Sequence, residues 1–297
     1  MLLTLFLSLS LFLSLSRQVY SVADNTWQSF DLPEKYQSSD NTGWAYGDYA
    51  YFAGGYPADY STWLDTVFRI DTVATLSTGA LVIEDRAPLL TGRGDVSSTI
   101  FEHPGQTPYV VVAGGFGPNL GWCAPDADVF IYDFEKDTWD NSTYTNLNRA
   151  RSDKGILELN GQLLVFGGES QLENICQIES PEPGEKTVAV DDVELYDTTT
   201  NTWVSLYDLP KHTFRFAPVA FDELNSIFAF GGQYAYDESC ECFRTSNDVM
   251  VFTAQPGSIV AASPNNGGNT ATSGAVTTVG VSSFLTVMAM TIANLLI

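Results

Sequence analysis

Four apolar runs along the chain end in a pair of glycines: YAYFAGG to Gly55, YVVVAGG to Gly115, LLVFGG to Gly168 and IFAFGG to Gly232. Runs of this length, rich in aromatic and β-branched residues, predict buried strands. Each glycine pair supplies positive φ, or close backbone approach, where its strand ends. The first glycines of successive pairs lie 60, 53 and 64 residues apart. A second apolar run follows each pair: VFRID to Asp71, VFIYD to Asp133, VELYD to Asp197 and VMVF to Phe252. A third element is a tryptophan seven residues after a tyrosine, at Tyr20–Trp27, Tyr132–Trp139 and Tyr196–Trp203. The stretches VYSVADNTW, IYDFEKDTW and LYDTTTNTW align without a gap.

This combination resembles the kelch repeat, with about 50 residues per unit, over roughly residues 18–252. The resemblance implies an all-β fold, a kelch-type β-propeller of four-stranded antiparallel blades around a channel. In such a blade the glycine pair closes strand b, Tyr-Asp lies on strand c and Trp packs on strand d. Repeats of this kind bury their faces only against neighbours. Four glycine pairs imply about four blades, or five, fewer than kelch rings usually have. Joining of two chains would be another way to complete the ring. The last unit has no Trp after Phe252, so the N-terminal Tyr20–Trp27 half-unit is expected to add its outer strand and close the ring.

Both ends read as addresses. Met1–Ser16 is a Leu- and Phe-rich stretch with small residues at Ser14 and Ser16, which predicts a signal peptide cleaved before Arg17. Residues 17–253 would be the propeller and 254–274 a polar linker. Residues 275–297 are an apolar tail. Small residues, a polar spacer and a terminal apolar tail resemble a GPI-attachment signal, with Asn266 as the attachment residue and Asn265 or Ser263 as alternatives. A C-terminal membrane-spanning helix is the other reading of the tail. Either one places the protein in the secretory pathway, at the cell surface.

Charge narrows the partners. The chain has 36 acidic and 13 basic residues, a formal net charge of −23, and every charged side chain lies between Arg17 and Asp248. Phosphate backbones are bound by clustered Lys and Arg, so nucleic acid is excluded. A polybasic membrane-surface patch is excluded on the same ground.

Candidate chemistry is sparse. Cys123, Cys176 and Cys240 each lie eight residues after the second glycine of their pair, and Cys242 two further on. All four are placed in b–c loops on one rim. An even count in a secreted chain predicts two disulfides, and inter-blade bridges are favoured over a Cys240–Cys242 link. His103 and His212 sit in unrelated loops and form no metal motif, so no metal or cofactor is expected. Arg93, Arg151 and Arg215 precede strand a of units two to four and would converge near the channel mouth. In kelch substrate adaptors such arginines grip acidic peptides, which implies an acidic ligand here. The alternative is that they pair with acids recurring before strand c, such as Asp126, Asp128, Asp191, Asp192 and Asp248. Arg93-Gly94-Asp95 spells an integrin-type tripeptide whose Arg the repeat already explains. Asn141-Ser142-Thr143 is a glycosylation sequon. The long loop 169–191 is acidic and carries Pro181 and Pro183, so it predicts no regular element. The expected role is non-catalytic recognition of a protein or carbohydrate ligand by rim loops. The alternative is a secreted enzyme of carbohydrate oxidase or hydrolase type.

Overall fold

The structure is a computed structural model and describes residues 4–5, 16–21, 25–102, 107–171, 187–206, 208–237, 239–240, 242–253 and 275–279. An N-terminal sheet holds β1 (Thr4–Leu5), β2 (Ser16–Ser21) and β3 (Thr26–Asp31), in that order. Blade 1 is β4 (Thr42–Tyr46), β5 (Tyr49–Ala53), β6 (Val67–Asp71) and β7 (Ile83–Arg86), with helix α1 (Thr72–Thr78) between its last two strands. Blade 2 is β8 (Ser97–Phe101), β9 (Tyr109–Ala113), β10 (Val129–Asp133) and β11 (Thr138–Asp140). Blade 3 is β12 (Gly155–Leu159), β13 (Gln162–Phe166), β16 (Val193–Asp197) and β17 (Thr202–Ser205). Its b–c loop carries a ribbon, β14 (Glu169–Gln171) with β15 (Thr187–Ala189). Blade 4 is β18 (Ala217–Phe221), β19 (Ser226–Phe230), β22 (Val249–Thr253) and β23 (Ala275–Val279). A second ribbon, β20 (Gln233–Asp237) with β21 (Cys242–Thr245), rises from its b–c loop. The described residues are therefore nearly all β, in four antiparallel blades arranged as a β-propeller.

The expected closure is corrected. The fourth strand of blade 4 is β23, paired in register from Val249–Val279 to Thr253–Ala275, and not the N-terminal half-unit. The propeller sheet thus takes five residues from the stretch assigned to the apolar tail. The N-terminal half-unit has the geometry of a c–d hairpin, with Tyr20 facing Trp27 across β2 and β3, and it packs against blade 1. Arg17 lies over the Phe52 ring at 4.2 Å, and Leu32 is buried with Phe52, Phe68 and Ile70.

Apolar side chains of adjoining blades make the cores. Trp44, Tyr51, Val110, Val112, Phe130 and Tyr132 fill the space between blades 1 and 2. Val111, Val129, Leu163, Val165, Tyr196 and Trp203 do so between blades 2 and 3. Leu164, Phe166, Leu195, Ile227, Ala229 and Met250 do so between blades 3 and 4. The Tyr–Trp pattern has a local cause. Tyr132 and Tyr196 donate to Asp137 and Asn201 at 2.6 Å, and those two residues turn the c–d hairpin at φ 53° and 54°. Trp139 and Trp203 reach outward and donate their indole N–H to Ala87 O and Thr145 O, at 2.8 and 3.0 Å.

The glycine pairs join one blade to the next. Gly55, Gly115 and Gly168 have φ of 96°, 87° and 102°. Their N–H groups donate to the carbonyls of Arg93, Arg151 and Thr213 in the following blade, at 2.7, 3.0 and 2.7 Å. Two substitutions separate close approach from backbone conformation. A Cβ on Gly114 would sit 2.2 Å from Arg151 O, at φ 61°, while one on Gly161, at φ 77°, meets nothing within 4 Å. Gly161→Ala is expected to cost roughly 1–2 kcal/mol from the left-handed backbone alone. Gly114→Ala is expected to cost about 2–4 kcal/mol because the blades must also move apart. Urea unfolding of both variants measures the difference.

Candidate functional site

The d–a loops carry one repeated three-residue pattern: Ser38-Ser39-Asp40, Arg93-Gly94-Asp95, Arg151-Ser152-Asp153 and Thr213-Phe214-Arg215. The middle residue bridges to the residue just after its own blade's glycine pair, as Ser39–Tyr56, Gly94–Phe116, Ser152–Glu169 and Phe214–Gln233. The third residue is left-handed in every case, with φ of 51°, 51°, 47° and 53°. Its N–H donates to the carbonyl of the same residue in the preceding blade: Asp95 to Asp40, Asp153 to Asp95 and Arg215 to Asp153, each at 3.0 Å. This backbone ladder runs around the axis. The side chains of its residues are left facing a cavity of about 820 Å³, which Tyr56, Tyr60 and Trp122 also line.

The three sequence-predicted arginines do not act together, and this corrects the expectation of an arginine-lined mouth. Arg93 and Arg151 are fully buried, with side-chain exposures of 0%. Arg93 pairs with Asp126 at 3.0 Å and Asp128 at 2.5 Å, at the entry to strand c of its own blade. Arg151 pairs with buried Glu194 and donates to Gly167 O and Asp192 O at 3.1 and 3.0 Å. These two guanidiniums tie the d–a loop to the b–c turn and cannot reach a ligand. Arg215 alone faces the cavity, half exposed, and its Nε donates to Asp153 Oδ2 at 2.7 Å. It occupies the aspartate position of the pattern, and Thr213 stands where the other arginines do. The recurring acids have partners of the same kind, with Asp192 paired to Arg149 and Asp248 to Lys211.

The carboxylates at the axis are crowded. Tyr56 Oη donates to Asp95 Oδ2 at 2.8 Å, and Tyr60 Oη donates to Asp40 Oδ2 at 3.2 Å and lies 3.0 Å from Ser39 Oγ. Asp95 is buried, and its Oδ1 has no hydrogen-bond partner. Burial, then the charges of Asp153 and Asp40, push its carboxyl well above the usual carboxylate range, against the pull of Arg215 and the Tyr56 hydrogen bond. Burial also raises Asp153, though Arg215 opposes it. Burial pulls Lys154 down to about 7, where its ammonium group, enclosed between blades 2 and 3, donates to Ala113 O.

Sequence reasoning missed the aromatic wall. Tyr56 and Phe116 immediately follow their glycine pairs, and Tyr60, Trp63 and Trp122 come from the b–c loops of blades 1 and 2. Trp122 lies 4.8 Å from Tyr56 and 5.0 Å from Trp63 between ring centroids. Tyr60 and Trp122 remain 47% and 42% exposed. Recurrence of an aromatic or polar residue directly after Gly-Gly was the signal available for Tyr56 and Phe116.

Other expected residues are dispersed. Cys240 and Cys242 are bonded to each other, which corrects the expectation that these two would bridge to other blades. The β20–β21 hairpin sets their Cα atoms 5.2 Å apart, inside the span a disulfide needs. Cys123 is also disulfide-bonded, while Cys176 lies outside the described residues. Asn141 is exposed at the end of β11, where Asp140 accepts from the backbone and hydroxyl groups of Ser142 and Thr143. His212 is exposed in the loop before Thr213; His103 and Asn266 lie outside the described residues. The Arg93-Gly94-Asp95 tripeptide is internal, since Arg93 and Asp95 are both buried.

No family model matches the chain. Kelch-like protein 25 of Xenopus tropicalis is 31% identical over 123 residues, which is 41% of this chain and 19% of that protein. A solved propeller structure, YjhT, is similar with a TM-score of 0.58 at 15% identity, over 83% of this chain and 66% of that one. The chain thus spans just under two thirds of YjhT and less than a fifth of the kelch-like protein. Both likenesses, with the four blades, support a kelch-type β-propeller.

Two outcomes follow from the charges. Arg151→Ala leaves Glu194 buried without its cation and is expected to cost about 3–5 kcal/mol in urea unfolding. Arg151→Met with Glu194→Gln is expected to recover part of that, since Gln still accepts from Asn148 N–H, now at 2.9 Å from Glu194. The Asp95 carboxyl binds its proton more tightly folded than unfolded, so its contribution to stability falls as pH rises from about 4 through the raised folded pKa. Asp95→Asn is expected to remove most of that decline and to raise the melting temperature at neutral pH. Thermal melts of both proteins between pH 4 and 8 check it.

Proposed function

We propose that the chain is a cell-surface recognition protein that binds a protein or glycan in its axial cavity without turning it over. The observation that carries this reading is the pair of exposed aromatic rings, Tyr60 and Trp122, on the wall of a polar cavity of about 820 Å³. Ligand sites of this size combine apolar walls with a few placed polar groups. Large rings held in place by neighbouring rings bind at low entropic cost. The ribbons of blades 3 and 4 flank the same cavity through Glu169, Gln233 and Thr245.

The apolar head and tail support a secreted, membrane-held chain. Of the two attachments, a retained C-terminal span fits the sheet better. Cleavage at Asn266 would remove β23, whereas a retained tail keeps it in the sheet. Phosphatidylinositol-specific phospholipase C should then leave the protein on intact cells, and release would restore the lipid-anchor reading.

Binding is tested with the purified protein on a glycan array and a library of ectodomains. A hit is expected to weaken roughly tenfold or more on Trp122→Ala. Conversion of the hit to a new product in mass spectra would show the protein to be an enzyme instead.

A further inference from the structure

Of Asp40, Asp95 and Asp153 only the last has an ion pair among the described residues. Arg215 serves Asp153. Asp40 and Asp95 are bonded by the phenols of Tyr60 and Tyr56. Burial and the neighbouring carboxylates hold the Tyr56 phenol above its ordinary range, so it stays a neutral donor and adds no positive charge. Asp95 is more than nine-tenths buried, and its Oδ1 accepts no hydrogen bond. A buried carboxylate with one oxygen idle is costly in the free protein and is relieved by a cation.

The aromatic groups sit at the same corner. Tyr56 lies between Tyr60 and Trp122, tilted to both, at 5.2 and 4.8 Å between centroids. The three rings are inclined to one another by 32° to 48°. Tyr56 is buried, so Tyr60 and Trp122 are the rings that offer surface to the cavity beside Asp40 and Asp95. Ring faces attract cations, and ring faces beside carboxylates attract them more. The net charge of −23 concentrates cations around the molecule and opposes anions.

We propose that this corner receives an organic cation, the ammonium or guanidinium of a Lys or Arg side chain on a partner protein. Asp40 and Asp95 are its counter-charges, Tyr60 and Trp122 are its walls, and buried Tyr56 holds those rings and Asp95 in place. The inference rests on the reading of the cavity as a ligand site and names the ligand. It replaces the acidic ligand that the arginines suggested. The cavity is larger than one side chain, so the flanking backbone of the partner enters with it.

The test uses the full chain in detergent and reads Trp fluorescence and calorimetric heats. The probes are blocked pentapeptides of glycine with a central Lys, Arg, norleucine or Glu, and methyl mannoside. Lys or Arg peptides are expected to bind at least tenfold more tightly than norleucine or Glu peptides, and to lose affinity with added salt. Asp95→Asn and Asp40→Asn are each expected to weaken that binding tenfold or more. Asn is close in shape and tolerates the left-handed backbone, so melting curves distinguish lost binding from lost folding. Equal binding of norleucine, or indifference to both Asn variants, would overturn the cation inference. Trp122-dependent binding of the Glu peptide or of methyl mannoside would overturn it too, while leaving the recognition reading in place. No Trp122-dependent binding of any probe here, of any array glycan or of any ectodomain would overturn both.

Discussion

The structure depends on a backbone constraint. Each b strand must end in a residue whose N–H points across to the next blade, and only φ near +90° turns it that way. Gly55, Gly115 and Gly168 meet that need. Space would exclude a side chain even if the dihedral did not, since a Cβ on Gly55 would stand 2.2 Å from Ser39 O and one on Gly115 2.6 Å from Gly94 O. The second ladder follows from the first. Once Arg93 O and Arg151 O accept from the glycines, the residues two positions on turn left-handed and bond to one another around the axis. Asp is tolerated there because its short polar side chain suits the left-handed region. The site is thus a by-product of how blades join: the positions that close the ladder are those whose side chains line the cavity.

This coupling explains the division of labour among charges. Cations one step back from the axis, Arg93 and Arg151, are enclosed by the blades and hold loops to strands. They are buried with carboxylates because a lone guanidinium there would be very costly. Charges on the ladder face the cavity; burial first, and then the neighbouring carboxylates, raises Asp95 and Asp153, with Arg215 opposing. A fold seeking stability alone would place Asn at these positions. Carboxylates kept close together at an opening fit a site in which a ligand supplies the missing charge.

Much of this was legible in the sequence. Glycine pairs, Tyr–Trp pairs and their spacing fixed four blades and put the b–c loops on one rim, because each motif is tied to a local backbone need. The errors came where the link between spacing and position was loose. Arg215 lies 16 residues before its glycine pair, as Arg151 does, yet it occupies the Asp153 position. The cause is the a–b turn. Blade 3 turns through Asn160-Gly161, while blade 4 needs a helical turn, Asp222–Leu224, and Asn225, which shifts the register by two residues. The aspartates two residues after Ser38, Arg93 and Arg151 could have been read as a repeat of their own. The rings of Tyr60 and Trp122 could not, because they stand at unequal distances in loops of unequal length.

The N-terminal hairpin raises the question of what a four-blade arc leaves open. Tyr20 donates to Asn25 at 2.5 Å just as Tyr132 and Tyr196 do to their turns, so β2 and β3 are a true c–d hairpin. Trp203 is 5% exposed because blade 2 covers it, whereas Trp27 in the same position is 55% exposed. At the far end, the ladder passes from Asp40 to Arg215, and among the described residues no backbone bond returns from Asp40 N–H to Arg215 O. Blade 4 also presents Val219 and Phe221 on the side away from blade 3, where blade 3 presents its own Leu157 and Leu159 to blade 4. The two ends therefore keep the surfaces that blades use to join, without joining each other through this ladder. The cavity of about 820 Å³ lies where those two ends face each other, with Ser39 and Asp40 lining it from blade 1 and Arg215 and Phe216 from blade 4.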